Sequence, residues 1–574
     1  MKKTDINGLS ITFLDMVLSR SRLLSIVSVF ALLWLTQLEA AEPPAVAVAS
    51  AHPLATQAGL EVLESGGNAF DAAVAITAAL AVVEPASSGL GGGGFWLLHR
   101  EDDHLEIMID GRERAPLAAR DDMYLNHEGK VVPGLSIDGP LAAGIPGTAA
   151  AIDHLAATYG RLPLSKSLAP AIRLAREGFS VDERYRRLAS FRLEVLRASP
   201  AAAQVFLHDN DVPPPGFIIK QPDLAKTLEA ISTAGKNAFY RGKIAEQLVS
   251  GIRNAGGIWS LQDLADYQVM ERQPIMGRYK GIQVTSAAPP SSGGVALLTM
   301  LNILSGYQLE QLQPVSQIHL IIEAMRRAYR DRAEYLGDPD YVDIPVDRLT
   351  NPFYAAGLAA SIRMDRATPS NTLPGLPADE EATHTTHFSV LDKQGNRVAA
   401  TLTVNFPFGS GFMPSGTGVL LNDEMDDFSA KPGVPNVYGL IGAQANAIAP
   451  GKRPLSSMTP TFLDDGDRVA ILGTPGGSRI ITMVLLGVLD YAKGNGPASW
   501  VSIKRYHHQY MPDIVSYEPG TFSLDEVAEL RALGHHLKQS GRNYGNMQAV
   551  LWNRTRNEVK AASDPRGIGL AVVR

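Results

Sequence analysis

Residues 384–389 read His384-Thr385-Thr386-His387-Phe388-Ser389, and they stand where an irregular stretch gives way to a strand. The stretch before them, Arg366 to Glu381, is rich in Pro, Thr, Asn and acidic residues and has no periodicity, the mark of a loop. Beyond it, His387 to Asp392 and Arg397 to Asn405 are rich in β-branched residues and are joined by Lys393-Gln394-Gly395-Asn396, which predicts a hairpin. A threonine at such a place is ordinarily just the start of a strand. It becomes a nucleophile when a neighbouring base takes its proton, and a free α-amine on the same residue is such a base. That amine titrates near neutrality, at about 7.7 to 8.0. It exists only once the bond between His384 and Thr385 is broken, most simply by attack of the threonine's own hydroxyl, and the preceding loop supplies the slack.

Working outward, the partner strand carries Thr403 and Asn405 two residues apart, so both share one face and point towards the same site as Thr385. Asn422-Asp423-Glu424-Met425-Asp426-Asp427 is acidic but lacks the ligand spacing of a calcium loop. Pro454-Leu455-Ser456-Ser457-Met458-Thr459-Pro460 offers paired hydroxyls. Gly473-Thr474-Pro475-Gly476-Gly477-Ser478 runs into an apolar helix, Ile480 to Tyr491, and glycine amides beside a helix start suit an oxyanion hole. His384 and His387 are three apart on a strand and face opposite ways, so no metal site is expected there. Gly91-Gly92-Gly93-Gly94 has no Lys and Ser/Thr after it, which favours close backbone packing over a phosphate cradle. No G-x-S-x-G, H-E-x-x-H or P-loop pattern occurs.

The remainder of the first two thirds is helix-rich. His52 to Val83 reads as two helices broken at Gly66-Gly67-Asn68, and the second, Ala69 to Val83, is apolar almost all round and so belongs between layers. Further helices are predicted at Gly147–Tyr159, Leu164–Glu177, Asp223–Thr233, Lys243–Ala255 and Val315–Tyr335, and a closing hairpin at Met547–Trp552 and Glu558–Ala562. With 45% hydrophobic and 19% charged residues the 574-residue chain is a globular protein. Its net charge of −7, without a basic run, excludes the footprint of a nucleic-acid binder. Lys2, Lys3, Arg20 and Arg22 precede an apolar run from Leu23 to Leu35, followed by Ala40 and Ala41. That is the layout of a signal peptide, and the run falls short of the ~20 residues a membrane span needs. With no cysteine, disulfides, thiolate metal sites and a lipid-modified cysteine are excluded, which suits a bacterial periplasmic protein.

Several of these motifs together resemble the gamma-glutamyltransferase (glutathione hydrolase) family of N-terminal-nucleophile hydrolases, over about Ala51 to Arg566. They are Gly66-Gly67-Asn68-Ala69 with Asp71-Ala72-Ala73, Gly91 to Phe95, Pro290-Ser291-Ser292-Gly293-Gly294, Thr385-Thr386-His387, Asp426-Asp427-Phe428-Ser429 and Lys452 to Met458. The resemblance implies an α+β fold, a four-layer αββα sandwich built from two autocleaved subunits. Residues 1–41 would be the signal peptide, 42–384 the large subunit and 385–574 the small catalytic one, paired as a heterodimer. It implies Thr385 as nucleophile, Thr403 as its hydrogen-bond partner, and the amides of Gly476 and Gly477 as the oxyanion hole. Arg112, Ser456 and Ser457 would grip the α-carboxylate of a γ-glutamyl group, and Asn405, Glu424 and Asp427 its ammonium. Pro432 to Gly439 resembles a lid, with Tyr438 meeting Asn405. Gly111 departs from the family's usual aromatic residue and is expected to loosen the pocket wall, while Glu424 replaces a glutamine of some relatives. The implied substrates are glutathione and related γ-glutamyl compounds, the acceptors water, amino acids or peptides, and no cofactor or metal is implied. Two rivals remain: an acylase on the same scaffold acting on amine-free acyl groups, and a non-catalytic amino-acid-binding protein.

Overall fold

The computed structural model describes residues 42–373 and 385–574. The proposed signal peptide 1–41, the end of the loop before Thr385, and His384 lie outside the described residues. Residues 43–574 form one compact unit.

Two antiparallel sheets make its centre. The first has seven strands in the order Leu570–Val573, Ala47–Ser50, Thr386–Leu391, Arg397–Thr403, Gly93–Arg100, Leu105–Gly111 and Met270–Arg272. The second has six: Glu558–Ser563, Gln548–Asn553, Arg468–Gly473, Thr461–Asp464, Ile282–Ser286 and Ile275–Tyr279. Strict alternation divides the first sheet's side chains between two cores. Trp96, Leu98, Val390, Val398 and Ala400 pack with the helices Pro53–Glu64 and Ala69–Val83. Phe95, Leu97, Leu391 and Ala399 face the other way and pack with Phe462, Ile471 and Val550 of the second sheet. Helices Gly293–Ser305, Pro314–Tyr335 and Ile480–Ala492 cover the second sheet's outer side. The order is therefore helix, sheet, sheet, helix.

Helix Ala69–Val83 is buried along its whole length, as its all-round apolarity predicts, and Asn68 and Asp71 cap it reciprocally. The four-glycine run is a packing device: a Cβ at Gly91 or Gly92 would overlap the carbonyl oxygen of Leu420 or Thr403. The paired strands at the chain's end run over Gln548–Asn553 and Glu558–Ser563, one residue displaced at most from the hairpin expected.

Each sheet mixes strands from before and after residue 385. Ala47–Ser50 lies between Thr386–Leu391 and Leu570–Val573, and Ile282–Ser286 pairs with Thr461–Asp464. No helix of the described residues is long and apolar enough to cross a membrane.

Candidate active site

Thr386 pairs with Leu402, so the antiparallel register sets Thr403 across from Thr385 at the end of the ladder. Thr385 shares the inter-sheet face with His387 and Ser389, two and four residues on. In the facing sheet, Arg468–Gly473 ends at the same level and turns into the glycine loop. The amide of Gly476 donates to Thr385 Oγ1 at 3.3 Å. Gly476 has φ of 150° and Gly477 φ of 52°, and a Cβ on Gly476 would meet Met483 Cε at 2.5 Å. Both conformation and crowding thus demand glycine there. Thr403 Oγ1 accepts from the amide of Asn405 at 2.7 Å, and no hydrogen bond links it to Thr385.

Thr385, Thr403, Asn405, Gly477, Ser456, Ser457, Glu424, Asp427, Tyr438 and Arg112 line one pocket. Arg112, at the end of strand Leu105–Gly111, is completely buried and pairs with both Glu424 and Asp427. Its Nε donates to the carbonyl of Pro454 at 3.1 Å. The cation and the two carboxylates, expected to hold opposite ends of a ligand, are therefore partners of one another in the free site. These neighbours raise the Arg112 pKa against the pull of burial. Burial drives the Glu424 carboxyl well above its usual range, opposed by Arg112 and assisted by Glu113. Glu424 Oε2 is buried without a hydrogen-bond partner, a spare acceptor inside the pocket.

Asn405 leaves the strand at φ of 73°. Its side chain donates to the Asp423 carbonyl at 3.0 Å, and its own carbonyl accepts from Tyr438 Oη at 2.8 Å. Tyr438 thus meets Asn405 as expected. Two more bonds fasten the 432–439 segment: Asn436 Nδ2 donates to Asp427 at 3.1 Å and the Val437 amide to Asp426 at 2.8 Å. The Pro290–Gly294 motif works through backbone: Ser292 donates twice to the Ser456 carbonyl, at 2.8 and 2.7 Å, and so fixes the Ser456-Ser457 segment. Ser457 Oγ accepts from Arg332 at 3.3 Å.

Three further contributors were given no role from the sequence, although Asn422 opens the acidic stretch 422–427. Asn422 accepts the Glu424 amide at 2.9 Å and donates to the Gly91 carbonyl at 2.7 Å, so it orients the acidic turn. Arg332, fully enclosed, serves Ser292 and Ser457. Glu113 stands behind Arg112 at 3.5 Å, its pKa pushed up to about 7 by burial. Only the side-by-side Arg112-Glu113 pair hinted at the last of these. Gly111 does not loosen the wall, because Trp96 fills the space a side chain would take, with a ring atom 2.7 Å from where a Cβ would stand.

Two groups of ligand-type residues gather elsewhere, His99-Glu101-His104 and His319-Glu323-His535. Each has an arginine on its carboxylate, Arg397 at 3.8 Å from Glu101 and Arg327 at 2.6 Å from Glu323, which meets the charge a cation would.

A hydroxyl residue opening a central strand of an αββα sandwich, with a glycine amide at its oxygen, defines the class of N-terminal-nucleophile hydrolases. Within it, the chain belongs to the gamma-glutamyltranspeptidase family, whose pattern matches residues 55–573. The glutathione hydrolase proenzyme of Escherichia coli K12 is 43% identical over 91% of this chain and 90% of its own length. That of Bacillus subtilis 168 is 37% identical over 92% and 91%. Among solved structures, cephalosporin acylase from Bacillus halodurans superposes with a TM-score of 0.81 at 27% identity, covering 92% of this chain and 96% of that one. Gamma-glutamyltranspeptidase from Helicobacter pylori does so with 0.55 at 42% identity, covering 56% and 93%.

Proposed function

We propose that the protein is an exported, self-processing gamma-glutamyl hydrolase and transferase acting on glutathione and related γ-glutamyl compounds. Cleavage between His384 and Thr385 divides the precursor into subunits 42–384 and 385–574, which remain together because both sheets contain strands from each and Ala47–Ser50 lies between two strands of the smaller one. The new α-amine of Thr385 accepts the proton of its own hydroxyl. Oγ1 then attacks the γ-carbonyl, the C–N bond breaks, and the leaving amine departs with that proton. The γ-glutamyl ester passes to water or to the amine of an amino acid or peptide. The Gly476 amide, already on Oγ1, is suited with that of Gly477 to the developing oxyanion.

The observation that carries this reading is the ion-pair set of Arg112 with Glu424 and Asp427, enclosed in the same pocket as Thr385. A carbon bearing both a carboxylate and an ammonium matches that set by exchanging partners: carboxylate to Arg112, Ser456 and Ser457, ammonium to Glu424, Asp427 and Asn405. The naming of the curated relatives as glutathione hydrolase proenzymes supports both the chemistry and the processing. The likeness to cephalosporin acylase favours a second reading, removal of amine-free acyl groups. Against it stand the charge of Asp427 and the spare Glu424 Oε2, the latter buried and left unpaired by an amine-free acyl group. The layout of residues 1–41 supports export to the periplasm or beyond.

Purified wild-type protein is expected to run as two fragments under denaturing conditions and Thr385→Ala as one. Wild type should release the anilide from an L-γ-glutamyl anilide, faster with glycylglycine present. Turnover of glutaryl anilide instead would transfer the assignment to an acylase.

A further inference from the structure

Arg332 is a buried cation beside the pocket that makes no ion pair among the described residues. It stands in the last turn of helix Pro314–Tyr335, and its fork goes to hydroxyls: Nε donates to Ser292 Oγ at 3.0 Å and Nη2 to Ser457 Oγ at 3.3 Å. Two neutral oxygens and the carbonyl end of its own helix compensate a buried charge poorly. Burial lowers the Arg332 pKa, Tyr329 and Asp427 offset that only in part, and the Arg112 cation adds to it. The direction of donation sets what the serines can do. Ser457 Oγ receives from Arg332 and Ser456 Oγ from the Met458 amide at 3.1 Å, and neither hydroxyl donates to a group among the described residues. Both line the pocket with Thr385 and have their protons unspent. Two free O–H donors with a cation behind one of them make a seat for an oxyanion. Charge balance says why that cation is needed. Arg112 is already met by Glu424 and Asp427, with Glu113 behind it. Beyond burial, and against Arg112, the charges of Glu113, Asp427 and Asp423 push the Glu424 pKa up, so negative charge is in excess there. A ligand carboxylate entering that field would be repelled, and Arg332 supplies the missing charge: two arginines then face Glu424 and Asp427.

We propose that Arg332 sets the requirement for an α-carboxylate on the acyl donor, acting as counter-charge to that carboxylate through the Ser457 hydroxyl it polarises. It is a positioning residue: its contacts are Ser292 and Ser457, and it works on the ligand through the second of these. The inference rests on the γ-glutamyl reading above. A donor with an uncharged amide in place of the carboxylate leaves Arg332 as uncompensated as it is in the free site, so the cation gives such a donor no advantage.

The test compares anilide release, without acceptor, from L-γ-glutamyl anilide and from its α-carboxamide, which differ only in that carboxylate. The parent enzyme should favour the acid by about 100-fold in kcat/KM, and R332M by about 10-fold or less, because the charge-assisted part of the binding is lost. The change should fall on KM for the acid, with its kcat and both constants of the amide within about 3-fold of the parent. R332K keeps the charge and should retain most of the preference. Methionine in place of an unpaired cation leaves no buried charge behind, so R332M keeps the fold, and R332Q is a second neutral variant. Equal losses on acid and amide in the folded neutral variants would show a merely structural role and overturn the proposal. A preference that R332M and R332Q leave unchanged, or that R332K loses as they do, overturns it as well. Any of these results beside acid turnover by the parent defeats this inference alone; no release from the acid by the parent defeats the γ-glutamyl reading with it.

Discussion

At the residue scale, the site is a problem of buried charge. Arg112, Glu424 and Asp427 cost free energy to desolvate and hold one another at little net gain, which is affordable only if a ligand uses them. Asp427→Asn keeps the shape and removes one charge, leaving Arg112 under-compensated. The expected result is a loss of about 100-fold in kcat/KM for γ-glutamyl anilide, about 2.7 kcal/mol, mostly in KM, with cleavage before residue 385 intact. Arg112→Lys should be no milder, since a point ammonium cannot serve two carboxylates as a planar fork does. Steady-state kinetics beside denaturing electrophoresis checks both. Residue types announced this site well: a hydroxyl after a loop, acidic residues in a cluster, glycines before a helix. Arg332 and Asn422 were given no role because each works through a contact distant in sequence, to Ser457 and to Gly91, and Glu113 because only the fold shows it buried behind Arg112.

At the element scale, the segment 432–439 is the part most open to change. It is fastened over the pocket by four hydrogen bonds: Tyr438, Asn436 and Val437 donate to Asn405, Asp427 and Asp426, and the Tyr438 carbonyl accepts from Gln509. Removing one hydroxyl in Tyr438→Phe forfeits about 1 kcal/mol of net bonding, enough to shift an open–closed balance roughly 5-fold. Donor KM should rise by that factor, and limited proteolysis within 432–439 should quicken. An unchanged digestion rate would show that Tyr438 does not restrain the segment. Helices were legible at this scale wherever one face or all faces were apolar. Leu164–Glu177 and Ala69–Val83 have the bounds their sequence predicts. The strand ends were less so: Arg397–Thr403 stops two residues short of the predicted end, because Asn405 turns to a positive φ to reach Asp423.

At the scale of the whole molecule, two consequences follow from the double sheet. Cleaved subunits should co-elute in native gel filtration and separate only in denaturant, since Ala47–Ser50 is hydrogen-bonded between two strands of the other subunit and Ile282–Ser286 pairs with a third. The second concerns pH. His387, enclosed between the sheets, has its pKa driven down to about 3 by burial, as has His507, and His508 is lowered to about 4. Folded-state values below the unfolded 6.5 mean that the unfolded chain binds more protons in acid. The neutral histidines therefore cost nothing above pH 6.5, and stability falls as pH drops from there towards 3. Each contributes up to about 1.4 kcal/mol per pH unit. Urea midpoints should decline between pH 7 and 5, and His387→Gln should flatten that slope; an equal slope would remove His387 from the account.

By itself the sequence determined the helices and the local hairpins, and it supplied the grounds for proposing Thr385 as nucleophile and the bond before it as the one that breaks. All of these depend on neighbours along the chain: periodicity, turn residues, and an amine and hydroxyl on one residue. Only the tertiary structure decided that Ala47–Ser50 slots beside Thr386–Leu391, that Gly476 meets Thr385, and that Arg112 spans to Glu424 and Asp427 across some three hundred residues. Strand order and ion pairing are settled by which buried faces and charges satisfy one another in space, and spacing along a chain carries no record of that.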